Sequence, residues 1–343
     1  MLSTNEETPY LWILGARGLV GEELLRIIDQ EWKGSLNIKL SGGDRSSGER
    51  VSCKGQNLLV EPLQLATTPS NAFAVNALPS MVSKEWTIKL LSEGISVIDL
   101  SGHFSLAERA QLSTEAFPLT TESKEGLFCL PQASTIMSAP AVRALSRCAQ
   151  ITQISMTVFR SASSLGRAAL DELRDQIISL LNFRPVPDKE IGRRLAFDVL
   201  PAQLVDQGLN QGNASRADII AGELCRLLKQ PNLPTIVHDV MTTSFIGEAV
   251  QLNVTFDTAV QLDDVYATLE SEEALLLTDH DELTTIVDVA DDDSIYVGGL
   301  KISPYAPRTV SLWITTDQLK LMGRELFHLS TELFHLSTEL QDS

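Results

Sequence analysis

Apolar positions in the first 130 residues follow two alternating rhythms. The solid run "YLWIL" at 10–14 leads into glycines, and "VGEELLRIID" then places Val20, Leu24, Leu25 and Ile28 at helical spacing. Apolar runs return at 36–40 ("LNIKL"), 72–77 ("AFAVNA") and 95–100 ("ISVIDL"). Between the last two, "SKEWTIKLLSEG" reads as a helix with Gly94 as its C-cap. Strands alternating with helices predict parallel βαβ units. After about residue 135 the rhythm changes. "TQISMTVFRS" alternates, and "RAALDELRDQIISLLN" and "SRADIIAGELCRLL" are amphipathic helices. "TIVHDVMTT", "EAVQLNVTF", "TIVDVA", "SIYVGGLKI" and "TVSLWITT" are strand-like, with "DDVYATLESEEALLL" a helix between them. That order predicts an antiparallel or mixed sheet.

The C-terminal stretch repeats itself. "ELFHLST" occurs at 325–331 and again at 332–338, so Leu326, Leu329, Leu333, Leu336 and Leu340 form one apolar seam. Seven residues make nearly two helical turns, which keeps the stripe almost in phase. The repeat reads as a tandem insertion that lengthens a last helix, with a short coiled coil as the alternative.

Composition narrows the function classes. A chain of 343 residues exceeds what one core usually serves, so two domains are expected. A net charge of −18 argues against nucleic acid and against an anionic membrane surface. Cys53, Cys129, Cys148 and Cys225 lie far apart, which fits a reducing cytoplasm better than zinc or disulfides. No apolar run reaches the roughly 20 residues that span a bilayer, and "MLSTNEETPY" does not read as a signal peptide.

Candidate chemistry starts at "ILGARGLVGEEL". Gly15, Gly18 and Gly21 follow a strand and open a helix, a pattern that cradles a dinucleotide pyrophosphate; a purely structural glycine turn is the alternative. Arg17, Leu19 and Val20 complete the candidate cofactor loop, with Arg17 placed to reach a pyrophosphate. After the second strand, Arg45, Ser46 and Ser47 suit the 2′-phosphate of NADP, although Asp44 beside them is acidic and a solvated polar loop is the plain reading.

Taken together, these motifs resemble the aspartate-semialdehyde dehydrogenase family over nearly the whole chain. "LGARGLVGEELL" is similar to the family's "VGATGAVGE", "DRSSGE" to its "RSAGK", and "VIDLSGHF" to its "VIDNSSAFR". "LPQASTI" aligns with "NPNCSTI", whose Cys is the family nucleophile. "LLNFRPVPDKEIGRRLAFDVLP" resembles the Usg-type paralogues, which lack that Cys. The resemblance implies a Rossmann-type domain over 1–134, completed by a helix at 318–343, and an α+β domain with a mixed sheet over 135–317. It also implies a homodimer formed through that sheet.

The family reaction needs a thiolate, an acid/base and cationic clamps. On the resemblance, the nucleophile's place holds Ala133, and Gln132 stands for a phosphate-binding Asn. Arg160 replaces a Gln, Asp239 a substrate-binding Arg, and Ile246 the acid/base His. Ser105 and Ile219 stand for an Arg and a Lys, and Leu78 and Pro79 for two glycines near the nicotinamide. An uncompensated Asp239 would repel an anionic substrate. Pro140 is costly inside a helix, so Ser138 is the expected N-cap, with the helix and its positive end moved away from Ala133. No substitute is convincing. Cys129 lies four residues upstream, roughly 13 Å along a strand, and reads as core. Ser134 lacks a base unless His103 or His238 supplies one. His280 sits in an acidic loop with little metal-site character, and Asp291–Asp293 reads as a solvated turn. The expected protein is a family member without the family activity that binds NADP. An oxidoreductase working by direct hydride transfer and a non-binding structural dimer are the alternatives.

Overall fold

A computed structural model of the chain describes residues 10–65, 72–119, 126–205, 214–278 and 283–339, with side chains as far as 335. The chain divides into two units, Met1–Leu130 with Gly323–Ser343, and Pro131–Met322.

The first unit is an eight-stranded sheet with β1 (Tyr10–Leu14) near its centre, where a solid apolar strand belongs because both of its faces are covered. The other strands are β2 (Asn37–Gly42), β3 (Arg50–Cys53), β4 (Gln56–Pro62), β5 (Ala72–Asn76), β6 (Ser96–Asp99), β7 (Gln111–Leu112) and β8 (Leu127–Cys129). Their order is β3-β4-β2-β1-β5-β6-β8-β7, parallel except for the β3–β4 pair. From β1 the chain moves outward through β2 on one side and later through β5 on the other, so the switch point lies at the C-terminal end of β1. Helices α1 (Leu19–Glu31) and α2 (Ser80–Ser92) make the first crossovers, and α2 ends before Gly94 at φ +76°. The β3–β4 hairpin carries no strong sequence signal. Its turn is Lys54-Gly55, both at positive φ, in place of the more readable Asn-Gly or Asp-Gly.

The second unit contains α3 (Ala133–Leu145), β9 (Ile151–Arg160), α4 (Arg167–Leu181), β10 (Leu200–Pro201), α5 (Arg216–Leu227), β11 (Thr235–Met241), β12 (Glu248–Phe256), α6 (Leu262–Glu270), β13 (Leu276–Leu277), β14 (Tyr296–Ile302) and β15 (Thr309–Thr316). Its sheet runs β10-β11-β9-β12-β15-β14-β13 and is mixed, with β9–β11 and β13–β14 parallel. Three local expectations fail here. "TIVDVA" is a turn, because the Thr285 hydroxyl and N–H both bond to Asp288 (2.7 and 2.8 Å). The helix in "DDVYATLESEEALLL" stops at Glu270; beyond it Glu272 is buried and pairs with Arg143 and Arg147. Third, α3 does not wait for Ser138. It starts at Ala133 with Gln132 as N-cap and runs through Pro140. Pro140 removes one helical bond, but nearly every residue of α3 is buried, and that packing outweighs the loss.

The last helix, α7, spans Gln318–Glu339. From Gly323 onward it belongs to the first unit, where a Cβ at 323 would lie 2.5 Å from Glu23 Cγ. Arg324 anchors it to Glu31 (2.6 Å), and Leu326, Leu329 and Leu333 are buried. The Trp32 ring meets Phe327 and Phe334 edge-on, at 6.0 and 5.0 Å between centroids. These two phenylalanines hold the same place in successive heptads, so the duplication repeats one contact around one indole. The side chain of Leu336 and all of Leu340 lie outside the described residues.

Glu325 on α7 is buried and accepts the Glu115 N–H (2.7 Å). Burial pushes its carboxyl up to about 7, with Glu115 adding repulsion. A carboxyl whose folded pKa is raised contributes stability below its ordinary range, and that contribution is lost as pH rises through about 7. Glu325→Gln is therefore expected to stabilise the first unit by on the order of 2 kcal/mol at pH 8. Thermal melts across pH should show that difference shrinking toward pH 5.

Candidate functional site

In the first unit the sequence-predicted glycines do what the loop requires. Gly15 sits at φ +83°, where a Cβ would lie 2.5 Å from the Ala77 carbonyl oxygen. A Cβ at Gly21 would collide with the Gly15 carbonyl. The loop is tied down by Gly15 N–H to Ser41 O (2.8 Å) and Gly18 N–H to Gly15 O (2.8 Å). No side chain caps α1, which leaves the first N–H groups, at Leu19 and Val20, to solvent or to an anion. These features fit a pyrophosphate held by backbone. Gly15→Ala is expected to destabilise this unit by about 2 kcal/mol or more in urea melts, through left-handed strain and the clash with Ala77.

The charged residues of this half are arranged differently from the expectation. Arg17 does not point free toward a ligand. Its Nε donates to Glu49 Oε2 at 2.6 Å and it also pairs with Glu22, which together raise its pKa. Ser46 turns its hydroxyl back toward the Gly43 carbonyl (3.2 Å), while Arg45 is exposed. Ser47 is held by its N–H to the same carbonyl (3.0 Å). Leu78 is buried, and Pro79 caps α2.

His103 is engaged with Ser80 through one ring nitrogen. Its Nε2 lies 2.9 Å from Ser80 Oγ and 3.1 Å from the Ser80 carbonyl oxygen. A carbonyl only accepts, so that nitrogen carries the hydrogen and donates. Beneath it, Asp99 accepts from Ser83, Thr87 and Ser101 at 2.6 to 3.1 Å, a polar network that fixes the end of β6. Cys129 is buried with Trp12, Leu14, Leu90 and Val97.

In the second unit, Ala133 opens α3 and is 5% exposed, so the positive end of the helix is at this position after all. That end is partly answered by Glu223 of α5, whose Oε2 accepts from Gln132 N–H (2.9 Å) and Thr135 Oγ1 (2.7 Å). Ser105, in the first unit, is buried and donates to the Gly102 carbonyl (3.2 Å). Ile219 is buried on α5; Ile246 is partly exposed just before β12. His238 is exposed, on the side of β11 opposite the buried Asp239.

Asp239 is not uncompensated, which corrects the expectation. Arg160 Nε lies 3.3 Å from its Oδ1 and Arg216 Nε 3.7 Å from its Oδ2. Arg160 and Asp239 are almost completely buried. Glu248, opposite Arg160 in the β9–β12 ladder, completes a buried group of two guanidiniums and two carboxylates. Burial pushes the Glu248 carboxyl up, against the pull of Arg216 and Arg160 and a contact with Ser134. Sequence reasoning missed Arg216, Glu223 and Glu248. Arg216 and Glu223 flank Ile219 at i−3 and i+4 on α5, a spacing that shares one helix face and was legible. Gln318, also missed, donates to Ser161 (3.3 Å) and Ser163, and accepts the Gly247 N–H (2.6 Å).

Asp291 N–H bonds to Asp317 (3.1 Å) and Asp292 accepts from the Tyr296 hydroxyl (2.8 Å), so the Asp291–Asp293 turn is bonded as well as solvated. His280 lies outside the described residues. Among the described residues no group of His, Cys, Asp and Glu could hold a metal, and no helix is long and apolar enough to cross a membrane.

A glycine loop at the switch point of a parallel sheet places the chain among the dinucleotide-binding α/β proteins. Residues 11–139 match the family described as semialdehyde dehydrogenase, NAD binding domain, and residues 142–321 match semialdehyde dehydrogenase, dimerisation domain. The chain belongs to the semialdehyde dehydrogenase family. Among its relatives are a USG-1 protein homolog of Azotobacter vinelandii and an aspartate-semialdehyde dehydrogenase of Rickettsia conorii. Each is 26% identical over 90% of this chain and 92% of the relative. Overall identity therefore does not separate the two kinds. The fold is shared with the crystal structure of aspartate semialdehyde dehydrogenase II from Vibrio cholerae (TM-score 0.83, 22% identity, 96% of this chain and 98% of that one).

Proposed function

We propose that this protein is a Usg-type member of the family that binds a nicotinamide dinucleotide but does not carry out the family's acyl chemistry. The resemblance implies NADP. The observation that carries the reading is the state of the second unit. Ala133 offers no reactive atom where the resemblance puts the nucleophile, and Glu223 takes the donors around it. Asp239, where a substrate-binding cation is expected, is consumed by Arg160 and Arg216. A substrate bearing phosphate and carboxylate charges finds no free clamp there. The protein works as a homodimer through its dimerisation domain, in the cytoplasm, without nucleic acid or membrane.

Two measurements test this reading. Purified protein should show no phosphate-dependent oxidation of aspartate semialdehyde, and nicotinamide-nucleotide fluorescence titration should show saturable binding. Turnover in the first, or no binding at millimolar nucleotide in the second, would overturn it. The alternative of direct hydride transfer needs a proton source for an alkoxide, and Glu248 is a buried acid opposite Arg160 in the β9–β12 ladder whose carboxyl is pushed up by burial. Nucleotide consumption with a panel of aldehydes, abolished by Glu248→Gln, would select that alternative.

A further inference from the structure

One side chain joins the glycine loop to the loop that follows β2. Arg17 reaches across to Glu49 at 2.6 Å while also pairing with Glu22 in the first turn of α1. Both ends are anchored by backbone. On one side Gly15 N–H and Ala16 N–H bond to Ser41 O (2.8 and 3.3 Å). On the other, Val60 N–H bonds to Glu49 O and Gly48 N–H to Val60 O, both at 2.9 Å. Both partners depart from the family motifs that this chain resembles. Arg17 stands where "GATG" has Thr, and Glu49 where "RSAGK" has Lys. Either change alone leaves an unbalanced charge; together they make an ion pair.

The location gives the pair a consequence. In a Rossmann-type unit the glycine loop takes the pyrophosphate, and the residues after the second strand read the adenosine ribose at its 2′ position. Arg17 with Glu22 and Glu49 sums to one negative charge, Asp44 and Arg45 are neighbours of opposite sign in the adjoining turn, and Arg50, which brings the sum to zero, donates to the Asn57 carbonyl (3.2 Å). Ser46 spends its hydroxyl inside that turn. No surplus of positive charge is left for a second phosphate, while a carboxylate is left that accepts from a ribose diol.

We propose that the Arg17–Glu49 ion pair is a specificity strap that sets this dinucleotide site against a 2′-phosphate, so that NAD(H) is preferred over NADP(H). The inference rests on the dinucleotide-binding reading above and reverses the cofactor form that the resemblance implies. Both partners are roughly half exposed, so the strap acts through charge and not through rigidity, and its effect is screened by salt.

The test compares 2′,5′-ADP with 5′-AMP by calorimetry on the full chain and on Glu49→Gln, an exposed substitution that leaves the core untouched. The wild type should bind 5′-AMP at least as tightly as 2′,5′-ADP. Glu49→Gln should tighten 2′,5′-ADP by about tenfold, the effect of removing one like charge a few ångströms away, with 5′-AMP unchanged and the gain shrinking as salt is raised. A wild type that prefers 2′,5′-ADP, or a variant with no gain, overturns the strap. If the variant gains 2′,5′-ADP while neither NADH nor NADPH binds either protein, the strap stands and the dinucleotide reading falls.

Discussion

Restoring a thiol and an imidazole together, as Ala133→Cys with Ile246→His, is expected to yield no measurable phosphate-dependent oxidation of aspartate semialdehyde. The reason is not a displaced helix. The first turn of α3 begins at residue 133, so a thiolate there would feel the positive end of the helix. Glu223 works against it, since its carboxylate already holds the Gln132 N–H and the Thr135 hydroxyl and would raise the thiol's pKa by like-charge repulsion. Substrate charge then has nowhere to go. Within the second unit, Asp239 is acidic, its two arginines are engaged with it, and Ile219 carries no charge. On the assignment proposed above, several catalytic groups are absent from their places at once, and each such group is typically worth about 10²–10⁴ in rate. A continuous absorbance assay for reduced nucleotide decides the matter, and turnover in the double variant would show that the clamp is dispensable.

Asp239→Leu is expected to lower the stability of the second unit by about 3–5 kcal/mol, as removal of one partner from a buried ion pair does. The cost comes from Arg160, almost wholly buried on β9, and Arg216 on α5, which would face each other without the carboxylate between them. Glu248, the other acid of the group, offsets the two guanidiniums only in part, because burial pushes its carboxyl up. Changing Arg160 and Arg216 to Met and Glu248 to Gln alongside Asp239→Leu should recover most of the loss, because replacing all four charged side chains removes the desolvation penalty as well. Urea denaturation followed by tryptophan fluorescence measures both. A change under about 1 kcal/mol for the single variant would mean that water reaches the cluster.

Much of the fold was legible because it rests on patterns a single segment carries. The solid run before Gly15, the helical spacing from Val20 to Ile28 and the alternation in β9, β12 and β15 each announce their own element. The heptad seam was equally plain, since Leu326, Leu329 and Leu333 show their face by spacing alone. What failed depended on packing from elsewhere in the fold or on a local side-chain bond that the apolar pattern does not show. Pro140 stays helical because of what surrounds α3, and Thr285 turns because Asp288 is three residues on. The site was half legible for the same reason. The family resemblance could say that Asp239 and Arg17 were odd in their places. Only the fold could show that Arg160 and Arg216 answer the first and Glu49 the second.

The Arg160–Asp239–Arg216 group also bears on ancestry. If this lineage descends from an acyl-transferring enzyme, single-step reversal is closed to it. Arginine at 239 would crowd three guanidiniums into a buried space without the Asp239 carboxylate, at a cost in stability that can unfold such an intermediate. Mutual dependence among these side chains acts as an epistatic ratchet, since none of them can change alone without stranding a buried charge.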